Sequence, residues 1–226
     1  GYVTDVWLSA EKEDITGDAE KAMRVYERSG YEAHSIREKS LEAFQAALAK
    51  CTHVIDTLLG IGMKGQLKSP YKEIISLINA ERNKYIIAID LPSGILADGG
   101  DFTDAIRADE TIVIHHPKVS AFTYPSRYYY GEVHVVNIGI PPLVSERVGE
   151  KRYVWTAEDV MRTFPERSPT AHKGDHGKGL LVGGSKTMSG AIVMSAKAAL
   201  RSGSGLLTIA LPEEASIPVA SEVIEA

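Results

Sequence analysis

The chain has one cysteine, Cys51, among 226 residues. No intramolecular disulfide can form, so the fold must be held by its core, and the expected setting is a reducing cytoplasm. No apolar run approaches the roughly 20 residues that span a bilayer, and no signal peptide is visible. Basic excess is also lacking: a net charge of −5 leaves no footprint for nucleic acid or an anionic membrane. Any phosphate must therefore be held locally, by backbone amides and a lysine or two. Internal repeats and low-complexity segments are absent. So is an initiating Met: the chain opens on Gly1 and closes on Ala226 within a helix-like stretch, which reads as a piece of a longer protein. What remains is 44% apolar and 24% charged, ordinary for a soluble globular protein and enough for a sizeable core in one or two domains.

Strand-like and helix-like segments alternate through the first half. Tyr2–Leu8 reads as a strand, Asp18–Gly30 and Ser40–Lys50 as helices, and Val54–Leu58 as a strand. Pro70–Ala80 follows as a helix with Ser69 as its cap, then the strands Tyr85–Asp90, Thr111–Ile114 and Glu132–Ile138. This order predicts an α/β fold with a mostly parallel sheet. After Ile138 the apolar period fades, and 143–170 reads as an extended linker between 1–142 and 171–226. A single βαβ unit then restarts as Gly179–Val182, Ser189–Ser202 and Leu206–Leu211, expected in a separate sheet.

Two strands end in the same way. Val54-Ile-Asp56 runs into Gly60-Ile-Gly-Met-Lys-Gly65, and Ala88-Ile-Asp90 runs into Leu91-Pro-Ser-Gly94. Neighbouring parallel strands would place Asp56, the glycine loop, Asp90 and Ser93 on the rim where open α/β sheets bind ligands. A carboxylate there is costly unless it caps its turn, accepts loop amides or meets a cation. Gly60, Gly62 and Gly65 suit close approach of backbone N–H groups to an anion. The loop is nevertheless neither a Walker loop nor a full dinucleotide fingerprint, and a plain tight connection fits it as well. Lys64 either adds charge to an anion or is a solvated loop lysine. Ser93 lacks the Gly-x-Ser-x-Gly elbow of a nucleophile. A hard cation held by Asp56, Ser93 and loop carbonyls is the more economical reading. His115 and His116, adjacent on a strand end, should point to opposite faces and so not share a metal. His172-Lys-Gly-Asp-His-Gly177 and Gly183-Gly-Ser185 form a second glycine-bearing, anion-friendly approach.

Taken in order, these blocks resemble the bifunctional NAD(P)H-hydrate repair enzymes, in which an NAD(P)H-hydrate epimerase domain is joined to an ADP-dependent NAD(P)H-hydrate dehydratase domain. For the first domain the resemblance rests on Asp56 with Gly60–Gln66, on Asp90–Gly94, on Ala105-Ile-Arg-Ala-Asp109, and on Gly131-Glu-Val-His134 through Asn137-Ile-Gly-Ile-Pro141. For the second it rests on His172–Gly177, Gly183–Ser185, Ser189-Gly-Ala191 and Ala198-Ala-Leu-Arg-Ser-Gly203. The resemblance implies a Rossmann-like three-layer epimerase domain followed by the start of a ribokinase-like α/β domain. It makes Gly60, Ile61, Gly62, Met63, Lys64, Gly65 and Gln66 the embrace of the substrate's phosphates. Asp56 and Ser93 become potassium ligands, Asp90 the catalytic acid or base that contacts substrate, and Ala191 a dehydratase substrate contact.

The implied cofactors are a potassium ion for the epimerase, and ADP or ATP with Mg2+ for the dehydratase. The implied partner is the small molecule NAD(P)H hydrate, with neither nucleic acid nor membrane, and a homo-oligomer is expected. The family's Asn-Gly-Gly-Asp-Gly loop and its nucleotide-binding glycine–aspartate segments are not in the sequence. The alternatives are a non-catalytic nucleotide-binding partner protein and a ribokinase-like small-molecule kinase.

Overall fold

The computed structural model describes residues 4–149 and 151–224. Tyr2 and Val3, at the start of the expected first strand, lie outside them. The chain divides into two compact units, Gly1–Glu150 and Lys151–Ala226.

The first unit opens with β1 (Val6–Leu8), α1 (Gly17–Arg28) and β2 (Ala33–Ser35), the two strands pairing in parallel as Val6↔Ala33 through Leu8↔Ser35. α1 closes at Ser29, followed by Gly30 at φ 89°. Two helices follow, α2 (Ile36–Lys39) and α3 (Leu41–Lys50). The Ser40 hydroxyl caps α3 by accepting from the Ala43 N–H at 3.4 Å, and the spacing of Leu41, Phe44 and Leu48 gives α3 one apolar face. Next come β3 (His53–Asp56), α4 (Tyr71–Ala80), β4 (Tyr85–Ile89), β5 (Glu110–Ile114), β6 (Glu132–Val136) and α5 (Pro142–Val148). Strands β3-β4-β5-β6 form one sheet in that order, every pair parallel. α4 starts differently from the expectation: Pro70 itself occupies the cap, without a side-chain bond, and Ser69 does not cap.

The core lies on one face of this sheet. Phe44, Leu48, Ile74, Ile75 and Ile78 of α3 and α4 pack on Ile86 and Ala88 of β4. A second cluster is built from Leu91, Ile95, Ala105, Ala121 and Tyr130, all in the segments between strands, with Val133 of β6 packed against it. On the opposite face of the sheet, Ile55, Ile114 and Val136 are exposed.

The second unit holds α6 (Ala157–Thr163), β7 (Lys178–Val182), α7 (Gly190–Arg201), β8 (Leu206–Ala210) and α8 (Ser216–Glu222). β7 and β8 pair in parallel in a sheet separate from that of β3–β6. Ala196, Leu207 and Val223 form its buried cluster. Residues 143–170 are not simply extended, because α5 and α6 lie in that stretch. α6 begins with a reciprocal capping box, the Thr156 hydroxyl with the Asp159 N–H and the Asp159 carboxylate with the Thr156 N–H. Among the described residues no helix is long and apolar enough to cross a membrane.

Candidate functional site

The parallel register sets Asp56 opposite Ala88, so the Asp56 side chain turns toward the helix-covered face of the sheet. It is 2% exposed. Its Oδ2 accepts the Ser93 N–H at 2.7 Å, and its Oδ1 accepts the Ser93 hydroxyl at 2.6 Å and the Leu58 N–H at 3.2 Å. Asp56 therefore caps its own turn and also reaches the loop beyond β4. The Ser93 Oγ in turn accepts the Leu59 N–H at 2.8 Å and lies 3.3 Å from the Leu59 carbonyl oxygen. Burial pushes the Asp56 carboxyl above the usual carboxylate range, opposed by the bonds from Ser93 and Leu58. Among the described residues no Lys, Arg or His pairs with it. A buried, uncompensated carboxylate beside a hydroxyl and a carbonyl oxygen is a donor set that fits a hard monovalent cation. Among the described residues no group of three or more His, Cys, Asp and Glu side chains is arranged to hold a metal ion.

Ser93 is pinned by its neighbours. Its carbonyl accepts the Ile106 N–H at 2.8 Å. Gly94 has φ 102°, and a Cβ there would stand 2.3 Å from the Asp104 carbonyl oxygen, so only glycine fits. The motif Ala105–Asp109 owes its pattern to the same packing. Asn79 of α4 donates to the Ala105 carbonyl at 2.8 Å and accepts the Arg107 N–H at 3.0 Å. The Asp109 carboxylate accepts the Ile86 N–H of β4 at 2.7 Å.

Asp90 stands one residue past β4 at φ 72°. The Leu91 N–H bonds back to the Ile89 carbonyl at 3.0 Å, the hydrogen bond of a γ-turn centred on Asp90. The same device ends β5, where the His116 N–H bonds to the Ile114 carbonyl at 2.8 Å around His115, at φ 64°. It overturns the expected alternation of the two histidines: their rings lie 3.9 Å apart, centre to centre, instead of on opposite faces. The γ-turn at Asp90 aims the carboxylate across to β5. There Oδ1 accepts the Ile114 N–H at 3.0 Å and pairs with the Lys118 ammonium. Oδ2 has no partner among the described residues. Lys118 is the charged residue that sequence reading missed; it lies 28 positions from Asp90 along the chain.

The glycine loop at residues 60–66 is open. The Met63 N–H closes a turn onto the Gly60 carbonyl at 3.1 Å. The N–H groups of Gly60, Ile61, Gly62, Lys64, Gly65 and Gln66 have no acceptor among the described residues. Lys64 and Ile61 are exposed, and the space at Gly60 and Gly62 is empty within 4 Å of where a Cβ would sit. Gly65 has a φ of 72°, which favours glycine. The loop therefore offers unbonded donors beside the Asp56–Ser93 pair, through Leu59, which touches Ser93.

In the second unit, Ala191 is exposed in the first turn of α7. The ends of β7 and β8 border a groove lined by Val182, Gly183, Gly184, Ala210, Leu211 and Pro212. The His172–Gly177 motif has a packing role: a Cβ at Gly205 would stand 1.7 Å from the Lys173 carbonyl oxygen, and Asp175 accepts the His172 N–H at 3.0 Å.

Residues 1–120 match the family described as YjeF-related protein N-terminus, and residues 179–226 match that described as NAD(P)H-hydrate dehydratase. A protein of Moorella thermoacetica, named bifunctional NAD(P)H-hydrate repair enzyme Nnr, is 35% identical over 214 residues, covering 94% of this chain and 40% of that protein. The protein of the same name from Coxiella burnetii is 32% identical over 222 residues, covering 98% of this chain and 44% of that one. The chain thus spans less than half the length of these curated relatives. The crystal structure of yeast ynu0 is similar at 17% identity and a TM-score of 0.49, over 65% of this chain and 60% of that one.

Proposed function

Since the chain belongs to the YjeF-related N-terminal family, we propose that its first unit is the NAD(P)H-hydrate epimerase part, and its second the start of the nucleotide-dependent dehydratase part, of an NAD(P)H-hydrate repair enzyme. The observation that carries the reading is Asp90, whose Oδ1 is held by Ile114 and Lys118 while Oδ2 has no hydrogen-bond partner among the described residues. NAD(P)H hydrate carries a hydroxyl on C6, next to the ring nitrogen, so that carbon is a hemiaminal. Exchange of the R and S forms needs reversible loss and return of the hydroxyl, or ring opening, and either route needs one group that gives and takes a proton. A fixed carboxylate with one free oxygen suits that work. The unbonded amides of the glycine loop suit the substrate's phosphates, with Lys64 adding charge.

Potassium would sit against the Asp56 carboxylate, the Ser93 Oγ and the Leu59 carbonyl. Bound there, it would balance the buried charge of Asp56. The second unit would add dehydration of the S form with ADP or ATP and Mg2+, on a ribokinase-like fold, with Ala191 against the substrate. The same reading makes the protein cytoplasmic, in keeping with the lone thiol of Cys51, and a homo-oligomer, which light scattering checks.

The test uses the intact protein and a mixture of NADH hydrate epimers. An epimerase equilibrates them without nucleotide, and a dehydratase returns NADH only when nucleotide is added. If neither occurs, the reading fails in favour of a binding protein or a small-molecule kinase.

A further inference from the structure

We propose that Lys118 is a positioning residue that locks the Asp90 carboxylate in one orientation, leaving a single oxygen free for proton transfer. The inference rests on the reading of Asp90 as the proton-transfer group. It starts from how the ammonium is held. Besides Asp90 Oδ1, Lys118 Nζ meets the carbonyl oxygens of His116 at 3.3 Å and Ile114 at 3.5 Å. All three acceptors belong to the two γ-turned strand ends or lie next to them. The ammonium is therefore a clamp across β4 and β5.

The lysine is fixed from behind as well. Two residues on, Ser120 is fully buried. Its hydroxyl bonds to the Tyr130 hydroxyl at 2.7 Å, and its N–H donates to the Ala97 carbonyl at 3.1 Å. Tyr130 is itself fully buried and belongs to the cluster of Leu91 and Ile95 that follows Asp90. The side chains of Lys118 and Asp90 are 17% and 20% exposed, so the stem has little room to leave. Exposed ion pairs do little because both partners move; here the backbones of both are anchored.

Without the ammonium, Oδ1 would keep only the Ile114 N–H. The carboxylate would then turn about its χ2 and present its oxygens in several directions. Such a loss of aim lowers the rate of the chemical step more than the affinity for substrate.

The experiment compares the wild type, Lys118→Met, Lys118→Arg, Asp90→Asn and the Lys118→Met/Asp90→Asn double variant in the intact protein. Epimerisation is measured without nucleotide, and unfolding temperature serves as the control. Lys118→Met should lower kcat roughly 10- to 100-fold with KM within about threefold. Arginine at 118 should restore part of the loss, since it can still donate to Oδ1. The double variant should be no slower than Asp90→Asn alone, because the lysine acts only through the aspartate. An unchanged kcat in Lys118→Met beside a disabled Asp90→Asn overturns the role of the lysine alone. A loss that arginine does not rescue, with a matching fall in unfolding temperature, makes Lys118 a merely structural residue and also overturns it. A fully active Asp90→Asn overturns the underlying reading of Asp90.

Discussion

Asp56 and Asp90 stand at equivalent places, the carboxyl ends of adjacent parallel strands, and the fold treats them in opposite ways. Asp56 is the last residue of β3, points to the helix-covered face and spends both oxygens on neutral donors. Asp90 lies one residue beyond β4, is turned out by a left-handed φ and meets a cation with one oxygen only. The first arrangement leaves a buried negative charge that asks for a proton or a metal ion. The second pairs a carboxyl group with Lys118 and leaves it an oxygen to spare. A strand-end aspartate is thus not a role in itself; the conformation of the next turn and the nearest cation decide it. On the proposed reading the two divide the labour, Asp56 holding and Asp90 transferring.

The largest expected effect tests the second half of that division. Asparagine also tolerates a left-handed φ, and its Oδ1 can still accept from Ile114 and Lys118, so Asp90→Asn should fold normally. It cannot take up the proton, and epimerisation by the intact protein should slow about 10²- to 10⁴-fold. Nucleotide-dependent dehydration of the S form should stay near wild type. If epimerisation survives, Asp90 is only a turn residue and the contrast with Asp56 loses its functional meaning.

The next effect belongs to the other aspartate and is read as stability. Ser93→Ala removes the hydroxyl donor to Asp56 and leaves the half-buried Leu59 N–H without its acceptor. The loss should be about 1–3 kcal/mol, seen as a lower urea midpoint at unchanged slope. An unchanged midpoint would mean that the Asp56–Ser93 pair holds nothing together.

Much of this site is legible in the sequence. Two apolar strands that each stop at an aspartate before a glycine or proline turn place Asp56 and Ser93 on one rim, and the structure brings them together, with the Ser93 hydroxyl bonded directly to Asp56 at 2.6 Å. Lys118 was not legible, since it reaches Asp90 only because β5 lies beside β4 and the chain doubles back after it. The two γ-turns were hidden for a related reason. Asp and His take positive φ more readily than most residues, but that tendency alone does not single out Asp90 and His115; the reach of Asp90 to Ile114 across the sheet accompanies the turn. β2 escaped notice because Ala33-His-Ser35 is short and carries no β-branched residue. α6 had a readable signal in Thr156 followed three residues later by Asp159, a weaker form of the usual capping box. The apolar period beyond it was too short to draw attention.

The buried carboxyl of Asp56 also predicts a response to pH. Burial raises the Asp56 carboxyl above its unfolded value, so without a bound cation the folded state holds that proton more tightly than the unfolded chain. Its contribution to stability is then fully present below the unfolded pKa and is lost as pH rises through the folded one. In choline buffer, the stability of the wild type relative to Asp56→Asn should accordingly fall as pH rises out of the acid range. A difference that rises with pH would contradict the direction of the shift.

Potassium should act where the proton has left. At neutral pH, an ion present at ten times its dissociation constant stabilises the folded state by about 1.4 kcal/mol, read as a higher unfolding temperature in potassium than in choline of equal ionic strength. Asp56→Asn should abolish this shift, because the buried charge that attracts the ion is gone. Asp90→Asn should keep it, because Lys118 already balances that carboxylate. The comparison breaks if potassium stabilises Asp56→Asn as well as the wild type, or stabilises neither. The ion would then have no business at the end of β3, and the raised proton affinity of Asp56 would mark a carboxyl that the fold keeps neutral to tie Ser93 to its turn.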